Sequence, residues 1–392
     1  MRTTLTLLSL FYCVQVNAYN LPQHPIKSYD CESCDTLSHE KLQDRWQTAE
    51  VPLKNASSNV QKSYSYNKKV TAAQLEQGVI LPIHAPGAVV RIIPLEDKAI
   101  PTLEIKSTSN PFMSLKDASS LYSQDEAIDE SLKIGTHQTM LQIKPELGMG
   151  NFVIKSKKTK SHNESNAYLI HVFEKYSLLY LQIEPTALQY QYGDQFNATI
   201  TLKDNETSYP IDDINATLIG PNDQSISLKL KEIKRNQYEA SGLLLSDINT
   251  HGDNWYIEVG VTSELEENSP TYRTGRAAFS YSIPSAGLVN IKKTSSKPLT
   301  FAVTADVATA SRYALQSILY KKNATGENIP VETAQSALWL EPGRQIIHFS
   351  FDNSAQLAED QLSVGYLHLT DYGQLKPVYQ HDLPIKLSQL LD

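Results

Sequence analysis

The chain has 392 residues, 20% of them charged, with a formal charge of -8 and 21 tyrosines against 9 phenylalanines and 3 tryptophans. That length allows two or three domains with sizeable cores. An acidic balance whose only basic run is Lys155 to Lys160 excludes phosphate-backbone binding as the main task, because that work needs concentrated Lys and Arg.

Residues 1–18 read as an export signal: Arg2 near the start, an apolar run from Leu5 to Val16, and a small residue, Ala18, at the expected cut. Loss of Arg2 with this segment takes the formal charge from -8 to -9. No later stretch is apolar for long enough to form a membrane-spanning helix, so the mature chain is expected to be exported without a transmembrane anchor.

Residues 19–69, rich in Ser, Asn, Gln and Lys, read as a leader or strap with one helix-like piece at Leu37 to Ala49. Cys13 leaves with the signal, and the remaining pair, Cys31 and Cys34, is expected to close a small disulfide ring in an oxidising compartment. Asp30, Glu32 and Asp35 would raise the thiol pKa, which disfavours redox chemistry. A zinc site built from His24, Cys31, Cys34 and His39 is the alternative, with a shorter Cys-to-His spacing than usual.

In residues 70–175 two strands, Val79 to Ile83 and Ala88 to Ile93, flank a Pro86-Gly87 turn. Leu115, Ala118, Leu121 and Tyr122 recur at three to four residues and predict a helix over Ser114 to Ser131. Strands return at Thr139 to Ile143, Asn151 to Lys155 and Tyr168 to Glu174.

Residues 176–285 carry about seven short strands broken by turns such as Tyr192-Gly193-Asp194 and Gly220-Pro221-Asn222-Asp223, the pattern of an immunoglobulin-like sandwich. The inter-sheet cysteines of antibody domains are absent. Past a boundary at Pro284 to Gly287, residues 286–392 repeat the pattern at Leu299 to Ala305, Tyr313 to Tyr320, Ala337 to Leu340, Gln345 to Phe351, Gly365 to Leu369 and Lys376 to Gln380. The expected fold class is therefore mainly β, with tandem immunoglobulin-like β-sandwiches and one short helix in the N-terminal domain.

From Tyr168 onward the chain resembles a family of secreted Gram-negative, gammaproteobacterial proteins grouped under a domain of unknown function. The residues that carry the likeness are Leu188 to Ile200, which resembles a bacterial extracellular immunoglobulin-like module, then Ser311 to Leu315 and Ala337 to Gly343, and more faintly Ala85 to Arg91. The resemblance implies a periplasmic or extracellular protein and supplies neither substrate nor catalytic residues. In a bacterium the six Asn-x-Ser/Thr triplets, at Asn55, Asn163, Asn197, Asn205, Asn215 and Asn323, are a matter of composition.

Signatures of nucleotide, metalloprotease or serine-hydrolase chemistry are missing from the sequence. The strongest polar constellation is His348, His368, Asp352 and Asp371, which would bind a transition metal if a sheet brought them together; the simpler alternative is two surface histidines and two turn-forming aspartates. Asp204-Asn205-Glu206, Asp212-Asp213 and Asp352-Asn353 offer oxygen ligands for calcium without an EF-hand spacing. No cofactor is expected, with zinc or calcium as the alternatives. Tandem modules without turnover motifs favour a binding, adaptor or scaffold role toward a protein or carbohydrate at the cell envelope or beyond. The alternatives are a hydrolase with a nonlocal site, for which His84, Glu126, Asp129 and His137 are the candidates, and a chaperone-like subunit of an envelope machine that docks through sheet edges.

Overall fold

The computed structural model describes residues 18–53, 59–96, 100–124, 138–157, 166–247, 254–266, 269–353 and 357–390. Alternation of apolar and polar side chains gives each strand one inward face, and in the strand Leu299–Val307 the inward set Leu299, Phe301, Val303, Ala305 and Val307 is buried. Three separate apolar cores result. One is built from Tyr66 to Val172, one from Leu179 to Tyr281, and one from Ala286 to Leu390 with Leu21 added from the leader. The protein is thus mainly β, with three domains of packed antiparallel sheets.

In the third domain one sheet places Ala286–Ser296, Leu299–Val307 and Gly343–Phe351 side by side. The facing sheet runs Asn328–Leu340, Ser311–Lys322, Leu362–Asp371, Lys376–His381. In the second domain Trp255–Glu266 pairs with Ser269–Ser282 on one sheet, while Tyr180–Pro185, Gln195–Lys203 and Gln237–Leu243 form the other. Trp255 is wholly buried there, and Gly220 makes room for it: a Cβ at Gly220 would come within 2.5 Å of the indole. The first and second domains share one sheet, joined where Ser65 pairs with Thr274.

The leader threads all three domains in reverse order. Tyr19–Asn20 pairs with Asn290 and Ile291 at the edge of one sheet of the third domain, and Leu42–Gln47 pairs with Glu332 to Ala337 at the edge of the other. Gln61–Ser63 then adds to the second domain beside Tyr180–Pro185, and Ser65–Thr71 enters the first domain beside Ala167–Phe173. Covering sheet edges satisfies main-chain groups that would otherwise attract foreign strands.

Two helical expectations are corrected. The Leu37 to Ala49 piece holds the strand Leu42–Gln47, because the open edge of Asn328–Leu340 offers a ladder to the inward-pointing main-chain groups of a polar segment that could bury no helical face. The predicted Ser114 to Ser131 helix contains instead the strand Ser119–Gln124, paired with Thr139–Ile143, and residues 125–131 lie outside the described residues. Its apolar residues do not form one face: Leu115 and Ala118 are in the core, while Leu121 is 68% exposed. The single α-helix described is Ala72–Gln77, in the N-terminal domain but elsewhere. It starts on a capping box, with the Gln74 amide N–H donating to Thr71 Oγ1 at 3.2 Å and the Thr71 amide N–H to Gln74 Oε1 at 2.8 Å. It ends at Gly78, whose φ of 102° disfavours any side chain.

Candidate functional site

The outward face of the third domain's larger sheet forms the floor of a cleft of about 850 Å³. Strand alternation sends Leu315 and Leu319 into the core and leaves Gln316, Ile318 and Tyr320 lining the cleft; the neighbouring strand contributes Tyr366 and His368. One wall is Pro185 to Gln189 of the second domain, and Pro52, Leu53 and Asn59 of the leader close another side. A volume of this size falls in the range of small-molecule sites.

The walls are fixed to one another by polar contacts between domains. Gln374 makes a reciprocal pair with Ile283, its Nε2 donating to the carbonyl at 2.9 Å and its Oε1 accepting the amide N–H at 2.9 Å. Gln191 Nε2 donates to the Val378 carbonyl at 2.8 Å, Ser282 Oγ to the Pro377 carbonyl at 3.0 Å, and Gln380 Nε2 to Gln189 Oε1 at 2.7 Å. Below them Asp371, fully buried, accepts from Tyr29 Oη, Ser285 Oγ, Ser311 Oγ, the Gly373 amide and Gln374 Nε2 at 2.6 to 3.0 Å. One carboxylate thereby ties the leader to the third domain and to Ser285 in the joint that leads out of the second.

Within the cleft the His368 ring stacks on Tyr366 with centroids 3.6 Å apart, and its Nε2 lies 2.5 Å from Asp382 Oδ1. Burial, then the nearby Asp382 carboxylate and Tyr366, pushes the Tyr320 phenol up to about 12, and burial followed by Asp382 raises Tyr366 as well. Both phenols therefore remain neutral donors at physiological pH.

A second polar cluster sits where the first and second domains meet. Glu174 closes the strand side of the first domain; its Oε1 accepts the amide N–H groups of His84 and Ala85, and its Oε2 lies 2.7 Å from Arg273 Nη2 and 3.6 Å from His84 Nδ1. Burial works to raise the Glu174 carboxyl, but His84 bonding, the Arg273 charge and the backbone donor outweigh it and hold the group below the usual carboxylate range. Burial lowers Arg273 despite Glu174, and the guanidinium stays protonated at neutral pH. Thr271 Oγ1 lies 2.9 Å from His84 Nε2, and a cavity of about 310 Å³ adjoins both.

The predicted metal constellation is not gathered. His348 lies exposed on the sheet opposite the one that carries His368, Asp352 pairs with Arg45 at 2.8 Å, and Asp371 is occupied by its buried donors. Among the described residues no group of three or more His, Cys, Asp or Glu is placed to hold a metal ion. Cys31 and Cys34 form a disulfide, His39 stacks on Trp339 and His24 lies near Tyr379, so the four-ligand zinc set is dispersed. Of the acids and amides considered for calcium, Asp204 and Asn353 bond within turns, whereas Asp212 bonds a distant strand. Asp204 accepts from Glu206 N, Thr207 N and Tyr209 Oη, Asp212 accepts from Glu264 N, and Asn353 is bonded to Leu357. Of the hydrolase candidates, His84 stands in the second cluster, while Glu126, Asp129 and His137 lie outside the described residues. The cleft itself escaped the sequence reading, since its lining comes from three distant segments, and only the tyrosine excess hinted at it.

Fold and site together define a multi-domain β protein whose sandwiches are strapped by a leader and enclose a polar cleft. The chain belongs to the DUF4785 family of unknown function. It matches that family's N-terminal domain over residues 33–174, its central domain over 177–282 and its C-terminal domain over 285–388. It is similar to a DUF4785 family protein from Legionella pneumophila subsp. pneumophila str. Philadelphia 1, at 50% identity over 95% of this chain and 100% of that one, with a TM-score of 0.83. A tetra-tandem repeat from the extending region of a large adhesion protein (11% identity, 84% of this chain and 75% of that one, TM-score 0.21) and the mouse nectin-like molecule 4 ectodomain (8%, 68% and 94%, TM-score 0.18) are far more distant. No curated protein matches the chain.

Proposed function

We propose that this protein is an exported binding or scaffold module that engages a protein or carbohydrate partner at the cell envelope or outside the cell, through the cleft between its second and third domains. The observation that supports this reading is a cleft of about 850 Å³ whose walls come from three parts of the chain and are held by buried or bridging bonds. A preformed site loses little conformational entropy when it is filled. Export rests on residues 1–18, and the disulfide ring is consistent with an oxidising compartment. No helix among the described residues is long and apolar enough to cross a membrane. A photoreactive side chain at Leu188, 38% exposed on the cleft wall, should form a specific adduct with envelope or secreted material, and one at Leu245, 50% exposed and outside the cleft, should not. Equal labelling from both positions, or none from Leu188, counts against the cleft.

A hydrolase is the second reading, favoured by one observation: Thr271, His84 and Glu174 stand in the order hydroxyl, imidazole, carboxylate. Against it, Thr271 is only 1% exposed and Glu174 is clamped by Arg273. Turnover on a panel of peptide, ester and glycan substrates that disappears in His84→Ala would move the balance to this reading.

A further inference from the structure

The binding reading leaves the chemistry of the partner open, and the cleft lining narrows it. We infer that the cleft is a subsite for a neutral carbohydrate chain, recognised by the tyrosine and amide side chains of the third-domain sheet and the second-domain wall; this rests on the cleft being the binding surface.

Charge is the first discriminator. Among the described residues that line the cleft there is no Lys or Arg, and the ionisable His368 and Asp382 face each other at 2.5 Å. A phosphate polymer, a sulfated glycan or a polyuronate would find no cation there, and such ligands take their affinity from cations. Main-chain geometry is the second. The floor is a sheet face, where the Ser311–Lys322 and Leu362–Asp371 strands already pair with each other, so an extended peptide cannot bind by adding a strand.

What the lining does offer matches sugars. Gln189, Gln316, Gln380 and Asn328 each carry a donor and an acceptor, the pairing that a hydroxyl also presents. The bond from Gln380 Nε2 to Gln189 Oε1 fixes the orientation of both amides across the cleft and leaves a carbonyl on one side and an NH2 group on the other. Leu188 and Tyr366 supply apolar area for the C–H faces of a pyranose ring, over a floor closed by the buried Ile318 and Tyr320.

Tyr366 carries the strongest sign of a built site. Its φ is 54°, in the left-handed region that a bulky side chain rarely adopts, and it stands opposite a register shift between Gln316 and Ile318. Strained positions of this kind persist where surrounding contacts over-determine them. Here the contacts are the imidazole stacked on the ring and the Asp382 carboxylate that holds that imidazole. The ring is thereby presented to the cleft in one orientation.

The test uses the full exported chain in affinity electrophoresis through gels containing cellulose derivatives, soluble chitin oligomers, starch or dextran, with heparin and polygalacturonate as anionic controls. Retardation by at least one neutral polysaccharide is expected, weakened at least about tenfold by Tyr366→Ala and by Gln189→Ala and largely retained in Tyr366→Phe. Gln189 is exposed at the start of the short strand Gln189–Gln191 and its side chain joins the two walls through Gln380, so circular dichroism and urea midpoints check the fold of both variants. Retardation by the anionic gels alone, by none of the gels, or equally in wild type and both alanine variants would overturn the inference. If no neutral gel retards the chain but the Leu188 probe traps a protein, the glycan assignment fails and the binding reading stands; if neither occurs, both fail.

Discussion

Arg273 is the residue whose loss should cost this protein most. Its side chain is fully buried at the junction of the first two domains, 2.7 Å from Glu174, with Nη2 donating to Ser177 Oγ at 3.0 Å and Nη1 to the Tyr272 carbonyl at 2.9 Å. Arg273→Met keeps much of the volume but leaves the Glu174 carboxylate, also fully buried, with only the His84 ring and two amides. Breaking a buried pair from one side typically costs about 3–5 kcal/mol, because the surviving charge is uncompensated. Even with a urea dependence near 3 kcal/mol/M, the unfolding midpoint should fall by about 1 M or more. Glu174→Gln removes that charge, so the double variant should be more stable than the sum of the single losses predicts, with a coupling of at least about 2 kcal/mol. Urea titrations followed by tryptophan fluorescence and near-ultraviolet circular dichroism supply the cycle. Single losses that add to the double within about 0.5 kcal/mol would show that the pair does not hold the junction.

Three further predictions concern Glu174 and the docked leader. Because Glu174 is held below its ordinary value of 4.5, its contribution is complete above that pH and is lost as pH falls through the folded value; the stability gap between wild type and Glu174→Gln should be flat from about pH 5 to 8 and close below about pH 4.5, read from urea midpoints at each pH. Gly373→Ala should unseat the leader, since a Cβ there would lie under 3 Å from Tyr29 Oη and from both sulfurs of the Cys31–Cys34 ring. Limited proteolysis between Tyr29 and Leu42 should accelerate, and unchanged resistance would refute this docking. Cys31→Ser with Cys34→Ser should lower stability by no more than about 2 kcal/mol, the chain-entropy ceiling for so short a ring. Mass spectrometry of the exported wild type should show a deficit of two hydrogens and no bound metal.

Strands with strict alternation and turn residues at both ends were legible from local pattern. Gln195–Lys203 and Leu299–Val307 are examples, because a sheet with one buried face writes itself into every second residue. A short-range contact also left a readable mark, since Cys31 and Cys34 are three apart and bonded, whereas the helix that starts at the Thr71–Gln74 capping box was not anticipated. The spacing of Leu115, Ala118, Leu121 and Tyr122 misled, since three-to-four periodicity over few residues is weak beside an available strand partner. The strand Ala286–Ser296 was obscured for a different reason, as Asn290, Lys292, Lys293 and Thr294 break its apolar alternation.

By itself the sequence determined the mainly β class and the disulfide, both of which depend on residues close together in the chain. Only the tertiary structure decided that Leu42–Gln47 would complete a sheet almost 300 residues away, that Asp371 would gather donors from three segments, and that Tyr366 would meet Gln189 across one cleft. A polar side chain carries no record of which distant surface will face it. That is settled when three cores close and their outer faces, polar and unconstrained by packing, are brought together by the leader and the domain joints.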